Sequence, residues 1–484
     1  MFRILAKVHQ WLGATVGLAV LAWLLSGLVL LFVPYPRLTE TEWFAAAPAV
    51  ALDECKIEPA RLLSMLAVPS GIEHLRVVMV GARPAAVATY LDGRSAARWA
   101  DTGEPVRIGT AEHARRIVEQ IEGESPAVDL ALIDDDVWTV HQRFDPYRPL
   151  WKVEVEGTLG RVLYLSSITG EFVQDTERWE RGWNLMGATV HWWYLPWLRR
   201  QWDVWDVVVW WTSAAGFVMV LAGGLLGLTS WRHRIRKGER LKLHRLHLLM
   251  GAIGGLVMLC WIGSGWLSMD HGRWFSRSEV TALERERLMG GRLQFSDLSM
   301  TWDQLKAESM FAGMKEFRFA KVGGRVAVIG RLSPNEQAIV MESLDGQTRV
   351  AVIPLQQIET AARSVRVSAM AMSVSLVATD DPFHHEIRQR DRVGAMVRVA
   401  FEDTDATWMH IDGRTGSLIE KLDRSQRLYR RLFDGLHRWD LSWMREHETI
   451  RKGGIILCSV IGTLLAGSGV LSGVLRWREP RRKS

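Results

Sequence analysis

The chain has 484 residues, of which 48% are hydrophobic and 24% are charged, and its formal net charge is +6. Four stretches without Asp, Glu, Lys or Arg each exceed the roughly 20 residues that a helix needs to cross a bilayer; they are Val8–Pro36, Val207–Trp231, Leu246–Met269 and Gly453–Leu475. These stretches exclude a soluble cytosolic enzyme, and the long polar segments between them exclude a carrier that is wholly embedded in the membrane. The three cysteines are too few for a disulfide framework or a thiolate cluster.

The order of the apolar stretches predicts an integral membrane α+β protein. We expect four transmembrane helices in a duplicated two-span unit, with two large α+β insertions in the periplasm. The first stretch is longer than the roughly 7–15-residue core of a signal peptide, so we expect it to be an uncleaved anchor. The expected segments are a cytoplasmic start with span one (1–36), periplasmic region one (37–204), span two (205–231), a basic cytoplasmic link (232–245), span three (246–269), periplasmic region two (270–452), span four (453–475) and a basic cytoplasmic tail (476–484).

Basic residues decide the expected orientation, because Lys and Arg concentrate on the cytoplasmic side of membrane proteins. The chain start, the link 232–245 and the tail 476–484 carry fourteen Lys or Arg and two Glu, a sum of +12, so the remainder sums to −6. We therefore expect a multi-pass protein of the bacterial inner membrane with both termini in the cytoplasm and both insertions in the periplasm. The basic excess then marks orientation in the lipid bilayer, and we expect no nucleic-acid partner.

Within the insertions, apolar periodicity predicts short helices and strands. The first insertion has predicted helices at Pro59–Val68 and Ala111–Glu122, and predicted strands at Leu75–Val80, Ala86–Tyr90, Trp151–Val155 and Val162–Ile168. The second has predicted helices at Trp302–Met310 and Leu355–Ser364, and predicted strands at Gly324–Gly330, Ala338–Glu342, Met370–Ala378, Ala395–Phe401 and Thr407–Ile411. The recurring unit is a helix followed by strands, ending in a strand with a Thr-Gly turn.

The two halves of the chain repeat each other. His9 opens span one in the pattern HQWLGATVGL, and His247 opens span three in the pattern HLLMGAIGGL. Before spans two and four, the pattern GATVHWWYLPW around His191 matches FDGLHRWDLSW around His437. Each half therefore runs from a span through an insertion, a strand–turn–strand and a histidine segment to a second span.

These motifs resemble a known family. A helix-plus-strands unit that closes on MHIDGRTG (409–416), with LSSITG (165–170) in the first half, resembles a PepSY domain. The HxWxG pattern that begins at His9 and the duplicated four-span layout resemble the PepSY-associated transmembrane-helix family over nearly the whole chain. One departure is Asp412, whose counterpart in the first half is Ser167. The resemblance implies an iron-regulated membrane protein or a ferrisiderophore reductase that carries haem between its helices.

Four histidines occupy equivalent places in the duplication, with His9 and His247 at the inner ends of their spans and His191 and His437 outside. A neutral imidazole is a good axial ligand for haem iron, and a haem clamped between two helices takes one ligand from each. We therefore expect two haems, one between His9 and His247 and one between His191 and His437. Because the chain has no CxxCH motif, these are expected to be b-type haems, bound without a covalent link.

Three points remain open at the sequence level. His244 lies one helical turn before His247 and competes with it as a ligand, although only His247 keeps the spacing to Gly251. His437 precedes Gly453 by 16 residues, about 24 Å of helix, so the outer pair needs either a helix that turns back along the interface or spans that project beyond the bilayer. Closely spaced glycines favour tight helix packing and also admit a flat porphyrin; they are Gly13, Gly17, Gly223, Gly227, Gly251, Gly255, Gly469 and Gly473.

The functional expectation is a membrane haem reductase that passes electrons outward to a periplasmic ferric chelate such as a ferrisiderophore. Its electrons are expected from a membrane quinol or from a separate cytoplasmic reductase docking on the basic link Arg232–Arg245, because the cytoplasmic segments are too short for a flavin or nicotinamide domain. The alternative is a non-enzymatic PepSY membrane protein that binds or regulates a periplasmic protease or cell-wall enzyme. A permease is disfavoured, since no span contains a charged residue for ion coupling. The sequence identifies no catalytic residue.

Overall fold

A computed structural model of the protein describes residues 2–122, 127–157, 159–234, 242–275, 280–343, 346–350, 352–366, 372–378, 381, 383 and 396–478. The chain divides into two compact units, each built from separated segments. The helical unit comprises Met1–Tyr35, Trp179–Arg277 and Ser425–Ser484, and the β unit comprises Pro36–Arg178 and Ser278–Arg424. The histidine segments 179–204 and 425–452 thus belong to the helical unit, whereas the predicted segment boundaries grouped them with the insertions.

The described α-helices fall in both units. In chain order they are α1 (Phe2–Thr15), α2 (Gly17–Phe32), α3 (Glu40–Ala46), α4 (Pro59–Leu66), α5 (Ala111–Glu122), α6 (Arg178–Met186), α7 (Ala188–His191), α8 (Pro196–Arg199), α9 (Trp202–Arg234), α10 (Lys242–Ser268), α11 (Ala282–Met289), α12 (Trp302–Ala307), α13 (Leu355–Val365), α14 (Arg424–Arg430), α15 (Ser442–Glu446) and α16 (Glu448–Arg478). A π-helical segment, Arg431–His437, follows α14 directly.

The described strands lie in the β unit. In chain order they are β1 (Ile72–Val80), β2 (Arg83–Tyr90), β3 (Ser95–Trp99), β4 (Ala127–Ile133), β5 (Leu150–Val155), β6 (Val162–Ser166), β7 (Phe172–Thr176), β8 (Glu316–Val322), β9 (Arg325–Arg331), β10 (Gln337–Ser343), β11 (Gly346–Val350), β12 (Met372–Leu376), β13 (Met396–Phe401), β14 (Trp408–Asp412) and β15 (Leu418–Leu422). The beginnings of two predicted strands, residues 370–371 and residue 395, lie outside the described residues.

The helical unit contains three helices that are long and apolar enough to cross a membrane, namely the segments Trp202–Leu228, Leu243–Ser268 and Glu448–Leu475. A fourth crossing exists if the bent pair α1 and α2 is counted as one span. Helix α9 packs against α1 and α10, and α16 packs against α10, α1 and α2, so these five helices form one bundle. Its centre is apolar, with buried side chains from Val20, Leu24, Met219, Met258, Trp261 and Ile262.

The first predicted span is not one straight helix, because α1 and α2 meet at an angle of 56°. The Thr15 hydroxyl donates a hydrogen bond of 3.0 Å to the carbonyl of Trp11 at the last turn of α1. Such back-bonding by a threonine, next to a glycine such as Gly17, bends helices because it competes with the regular backbone ladder. The sequence pattern shows the apolar length of this segment but not the bend.

The β unit is organised around one antiparallel sheet of seven strands, in the order β11-β10-β9-β8-β1-β2-β3. Strands β1 and β8 pair at its centre, with Leu75 opposite Phe319 and Val77 opposite Phe317. These apolar side chains share a core with helices α4 and α12. The sheet therefore joins the two insertions into one unit, a connection that neither insertion reveals by itself.

The other side of the seven-stranded sheet contributes to two further cores. Val78 and Val80 pack with α5 and the four-stranded sheet β4-β5-β6-β7. Ala327 and Ile329 pack with α13 and the four-stranded sheet β12-β13-β14-β15. Helix α5 has the predicted bounds. Each half of the chain thus supplies a helix and a four-stranded sheet in the same order, as the predicted duplication requires.

Charged residues are buried where the two halves of the large sheet meet. Arg76 lies directly opposite Arg318 in the β1–β8 pair, an unfavourable placement of like charges. The Arg76 guanidinium donates to Glu171 at 2.7 Å and to Glu316 at 3.4 Å, and both carboxylates offset its charge. Burial raises the pKa of Glu316, but the neighbouring Arg76 and Arg331 outweigh this effect and hold that pKa below its ordinary value. Glu316 therefore stays ionised at the junction.

The two Thr-Gly turns take the same conformation and meet equivalent side chains. Gly170 and Gly416 have φ of 73° and 68°, in the left-handed region that favours glycine. A Cβ added at Gly170 would lie 2.5 Å from Cγ1 of Val80, and one added at Gly416 would lie 2.2 Å from Cγ2 of Val322. These valines end β1 and β8, the equivalent central strands, so the motif that revealed the duplication has the same packing role in both halves.

Replacing Gly416 by alanine is expected to destabilise the β unit by about 2–4 kcal/mol, because left-handed strain of about 1–2 kcal/mol adds to a clash with the core. Gly93 is a matched control, since its φ is 84° but no atom lies within 4 Å of an added Cβ. Thermal unfolding of the full-length protein should show a clearly lower midpoint for Gly416→Ala than for Gly93→Ala. Equal midpoints would contradict the packing argument.

Candidate functional site: two facing pairs of histidines

The helical unit brings the four equivalent histidines together as two pairs. His9 on α1 and His247 on α10 have ring centroids 6.0 Å apart, with an interplanar angle of 50°. His191 at the end of α7 and His437 at the end of the π-helical segment have centroids 6.1 Å apart, with an angle of 65°. Each pair therefore joins one histidine from each half of the duplication.

Each histidine forms a hydrogen bond through Nδ1 with a backbone carbonyl of a neighbouring helix. The Nδ1 atoms lie within hydrogen-bond distance of these oxygens: His9 with Met219 at 2.9 Å, His191 with Trp23 at 3.2 Å, His247 with Leu465 at 3.1 Å and His437 with Trp261 at 3.1 Å. A carbonyl oxygen only accepts, so each Nδ1 carries a proton, and in the neutral ring this leaves the lone pair on Nε2. None of the four Nε2 atoms has a hydrogen-bond partner in the part of the chain that the structure describes.

A glycine lies beside every one of these rings, four residues after the carbonyl that holds it. An added Cβ would approach the ring Cε1 at 3.4 Å for Gly27 and His191, at 2.6 Å for Gly223 and His9, at 3.2 Å for Gly265 and His437 and at 3.1 Å for Gly469 and His247. The absent side chain thus lets the Cε1–Nδ1 edge of the imidazole come close to the helix. Gly223 and Gly469 are among the closely spaced glycines that predicted tight helix packing, whereas Gly27 and Gly265 were not predicted from the sequence.

Three serines complete the arrangement, and sequence reasoning missed them. Ser26, Ser264 and Ser468 each precede one of the glycines, and their Oγ atoms lie 3.1, 3.3 and 3.1 Å from Nδ1 of His191, His437 and His247. The equivalent residue beside His9 is not a serine but Ala222, which precedes Gly223. The signal in the sequence was the dipeptide Ser-Gly, which occurs four times inside otherwise apolar spans, the fourth time at Ser472-Gly473, where each polar side chain needs a partner.

The chain reaches the His191/His437 pair through two short segments that turn back onto the bundle. Two residues after each histidine the backbone is left-handed, with φ of 52° at Trp193 and 54° at Trp439. This conformation is strained for a bulky residue and persists only where packing holds it. Trp193 contacts Trp23 and Trp439 contacts Trp261, with ring centroids 6.1 and 6.0 Å apart. The chain therefore turns back between each of these histidines and the long helix that follows it.

The two pairs lie at different levels of the bundle, as α10 shows directly. His247 is near the start of this helix, and the ring of His437 lies beside Gly265, eighteen residues further along it. At 1.5 Å per residue the two levels differ by about 27 Å. This separation is close to the roughly 30 Å thickness of a bilayer's hydrocarbon core.

The spacing within each pair suits a shared metal ion. Two imidazoles on opposite sides of one metal, with metal–nitrogen bonds of about 2.0–2.1 Å, place their ring centroids about 6.3 Å apart. The observed centroid distances are 6.0 and 6.1 Å. No group of three or more His, Cys, Asp or Glu able to hold a metal occurs among the described residues. The arrangement therefore offers two imidazole nitrogens at each level.

The other residues that the sequence suggested for a functional role do not join the two histidine pairs in the described structure. His244 lies one turn before His247 on α10, and it is His247 that the structure brings to His9. Residues 235–241 of the basic link and 479–484 of the tail lie outside the described residues. All three cysteines are free, and burial with nearby Glu54 raises the pKa of the Cys55 thiol to about 12. That thiol is protonated at neutral pH and offers no thiolate.

Comparison of the chain with models of known protein families finds no match, and comparison with curated proteins finds none either. A functional assignment therefore depends on the residues and on the geometry of the two histidine pairs.

Proposed function

We propose that the protein is a haem-binding reductase of the bacterial inner membrane that passes electrons across the membrane to a periplasmic ferric chelate, such as a ferrisiderophore. The observation that carries this proposal is the pair of facing imidazoles at each of two levels, about 27 Å apart along α10. The specific acceptor, a ferric chelate, depends on the resemblance to the PepSY-associated transmembrane-helix family.

The membrane placement is part of the proposal. The bent pair α1 and α2 serves as span one, and α9, α10 and α16 are spans two to four. Lys and Arg at the chain start, in the link 232–245 and near the end of the chain favour a cytoplasmic location for these segments. His9 and His247 then lie near the cytoplasmic side, and His191 and His437 near the periplasmic side. The β unit, with its PepSY-like modules, is periplasmic in this arrangement.

The four histidines have the properties that haem iron would require of protein ligands. His9 and His247 would hold one haem, and His191 and His437 the other, through the unpaired Nε2 atoms. The carbonyls that accept a hydrogen bond from Nδ1 fix each ring's tautomer and orientation and raise the basicity of Nε2. When bound, haem supplies reversible one-electron chemistry at the iron. The buried indole Nε1 of Trp261, which has no hydrogen-bond partner in the described structure, adds an unused donor on the helix that holds His437.

The chain itself supplies the surroundings of these ligands. Apolar side chains such as Val20, Leu24 and Met258 fill the bundle and exclude water from its interior. Neutral imidazole is the form of histidine that binds a metal ion. The three cysteines do not form a CxxCH motif, so the proposed haem is b-type.

The electron source is proposed to be a membrane quinol. The basic link 232–245 has fourteen residues, far fewer than the roughly 40 residues below which domains rarely fold alone. It cannot itself form a flavin or nicotinamide domain, which favours electrons supplied from the membrane. The link's basic residues make a docked cytoplasmic reductase the second possibility.

Purified protein in liposomes is expected to show haem reduction by a quinol analogue, and reoxidation when a ferric chelate is added on the β-unit side. Reduction is followed by the haem absorption bands, and ferrous iron by a ferrous-specific chelator. NADPH alone should give no reduction. Rapid reduction by NADPH without any added protein would contradict the quinol proposal. A haem that is reduced but never reoxidised by ferric chelates would contradict the proposed reaction.

A further inference from the structure

We propose that Ser26, Ser264 and Ser468 are positioning residues, each of which weakens the hydrogen bond between a histidine Nδ1 and a backbone carbonyl. Because Ala222 cannot do this, His9 is the most electron-donating of the four proposed ligands. This inference rests on the proposed haem function. It concerns how the two sites differ, which the duplication alone does not predict.

Each serine competes with its histidine for the same carbonyl oxygen. The hydroxyls of Ser26, Ser264 and Ser468 donate to the carbonyls of Trp23, Trp261 and Leu465 at 3.1, 3.2 and 2.9 Å. With its proton on the carbonyl, the serine oxygen turns a lone pair to the nearby Nδ1–H. The imidazole proton is therefore shared between two acceptors, and the carbonyl accepts from the serine as well as from the ring.

The residue before Gly223 is an alanine, so no serine competes with His9 for the carbonyl oxygen of Met219. Ala222 is buried and carries no hydroxyl, so the Met219 carbonyl accepts from His9 without a serine beside it. The resulting Nδ1···O distance of 2.9 Å is the shortest of the four, against 3.1–3.2 Å at the other three carbonyls. A shorter, unshared hydrogen bond polarises the N–H bond more and moves electron density towards Nε2.

A more basic axial histidine stabilises ferric over ferrous iron, because the oxidised metal carries more positive charge. Hydrogen bonding around the ligands is one of the means by which proteins set haem potentials. The His9/His247 site has one histidine without a serine, whereas the His191/His437 site has a serine at both. The missing serine is therefore expected to lower the midpoint potential of the His9/His247 site, relative to the same site with a serine at residue 222.

Single substitutions should move the potential of one site and not the other. Ser468→Ala makes His247 resemble His9 and is expected to lower the midpoint potential of the His9/His247 site. Ala222→Ser is expected to raise it. Loss of a hydrogen bond to a metal-binding histidine alters metal affinity by about 10–100-fold, and a tenfold change confined to one oxidation state corresponds to about 59 mV for one electron. Shifts of about this size with opposite signs are the expected result.

The experiment is a spectroelectrochemical titration of the haem-loaded full chain, with sites assigned by the step that disappears in His9→Ala. Ser459→Ala is the matched control, since Ser459 is buried on α16 like Ser468 but has no hydrogen bond to a histidine among the described residues. Its potentials should not shift. Ser26→Ala and Ser264→Ala should lower only the potential of the His191/His437 site.

The outcomes separate this inference from the function on which it rests. Protein without haem in every sample would defeat the proposed function. Two haems whose potentials are unchanged in both Ser468→Ala and Ala222→Ser would overturn the inference and leave the function standing. Haem loss in Ser468→Ala together with an unshifted Ala222→Ser would show that the serines are only structural, and would also overturn it.

Discussion

Replacing His247 by alanine is expected to lower the haem content of the purified protein from two to one per chain. The imidazoles of His247 and His9 face each other at 6.0 Å between centroids, so the loss of either leaves a single ligand in an apolar bundle. His9→Ala should therefore remove the same haem, with the same change in the absorption and electron paramagnetic resonance spectra. The double variant should lose no more than either single variant, because both act on one site.

His244→Ala is the matched control for this experiment, one helical turn away on the same helix. It should keep both haems and the spectrum of the unchanged protein. Loss of a haem in His244→Ala with full retention in His247→Ala would mean that the ligand on α10 had been misassigned. Loss of both haems in His9→Ala would contradict the assignment of two independent sites.

Gly223→Ala is expected to weaken haem binding at the His9/His247 site by about 10–100-fold, although it leaves every ligand in place. An added Cβ would lie 2.6 Å from Cε1 and 3.0 Å from Nδ1 of His9, which forces the ring off the Met219 carbonyl. The ring would then lose both its fixed orientation and its hydrogen bond. The measurement is haem retention during dilution or competition with an apo-haem acceptor, together with the spectrum of the remaining haem.

Gly224→Ala, on the next residue of the same helix, separates this effect from helix propensity. No atom lies within 4 Å of an added Cβ at Gly224, and alanine favours a helix over glycine by about 1 kcal/mol at either place. Gly224→Ala should therefore retain haem fully and melt no earlier than the unchanged protein. If both variants retained haem equally, contact between Gly223 and His9 would have no bearing on the site.

The pairing of the histidines could be predicted from the sequence, whereas their surroundings could not. A duplication places His9 and His247 at equivalent ends of equivalent spans, and a bundle then brings equivalent positions together. The serines escaped notice because a single serine in a span has many explanations, and its role depends on which helix lies beside it. Only the packing of α1 on α9 and of α16 on α10 shows that each histidine meets the helix of its own half.

The two turns that bring His191 and His437 into the bundle also could not be predicted from the sequence. Tryptophan disfavours a positive φ, so no local rule assigns the left-handed conformation to Trp193 or Trp439. The conformation is held by contacts with Trp23 and Trp261, which lie far away in the chain. Long-range packing of this kind overrides local preference and leaves no signal in a short window.

In the β unit, too, some elements could be predicted from the sequence and others could not. Strong periodicity located helix α5 and strands such as β5 and β14 within a few residues. Strand β8 was missed, because Glu316, Arg318 and Lys321 interrupt its apolar pattern and find partners only in the folded unit. The pairing of β1 with β8 joins distant halves of the chain, so no local pattern predicts it.

The most direct test of the account is haem quantification by pyridine haemochrome on freshly purified, full-length protein, together with its Soret absorption and a measured protein concentration. We expect about two b-type haems per chain, both with the spectra of bis-histidine ligation, and about one in His247→Ala and in His437→Ala. A folded sample with no Soret band and no haemochrome would contradict the central claim, because the facing histidines would then hold no haem.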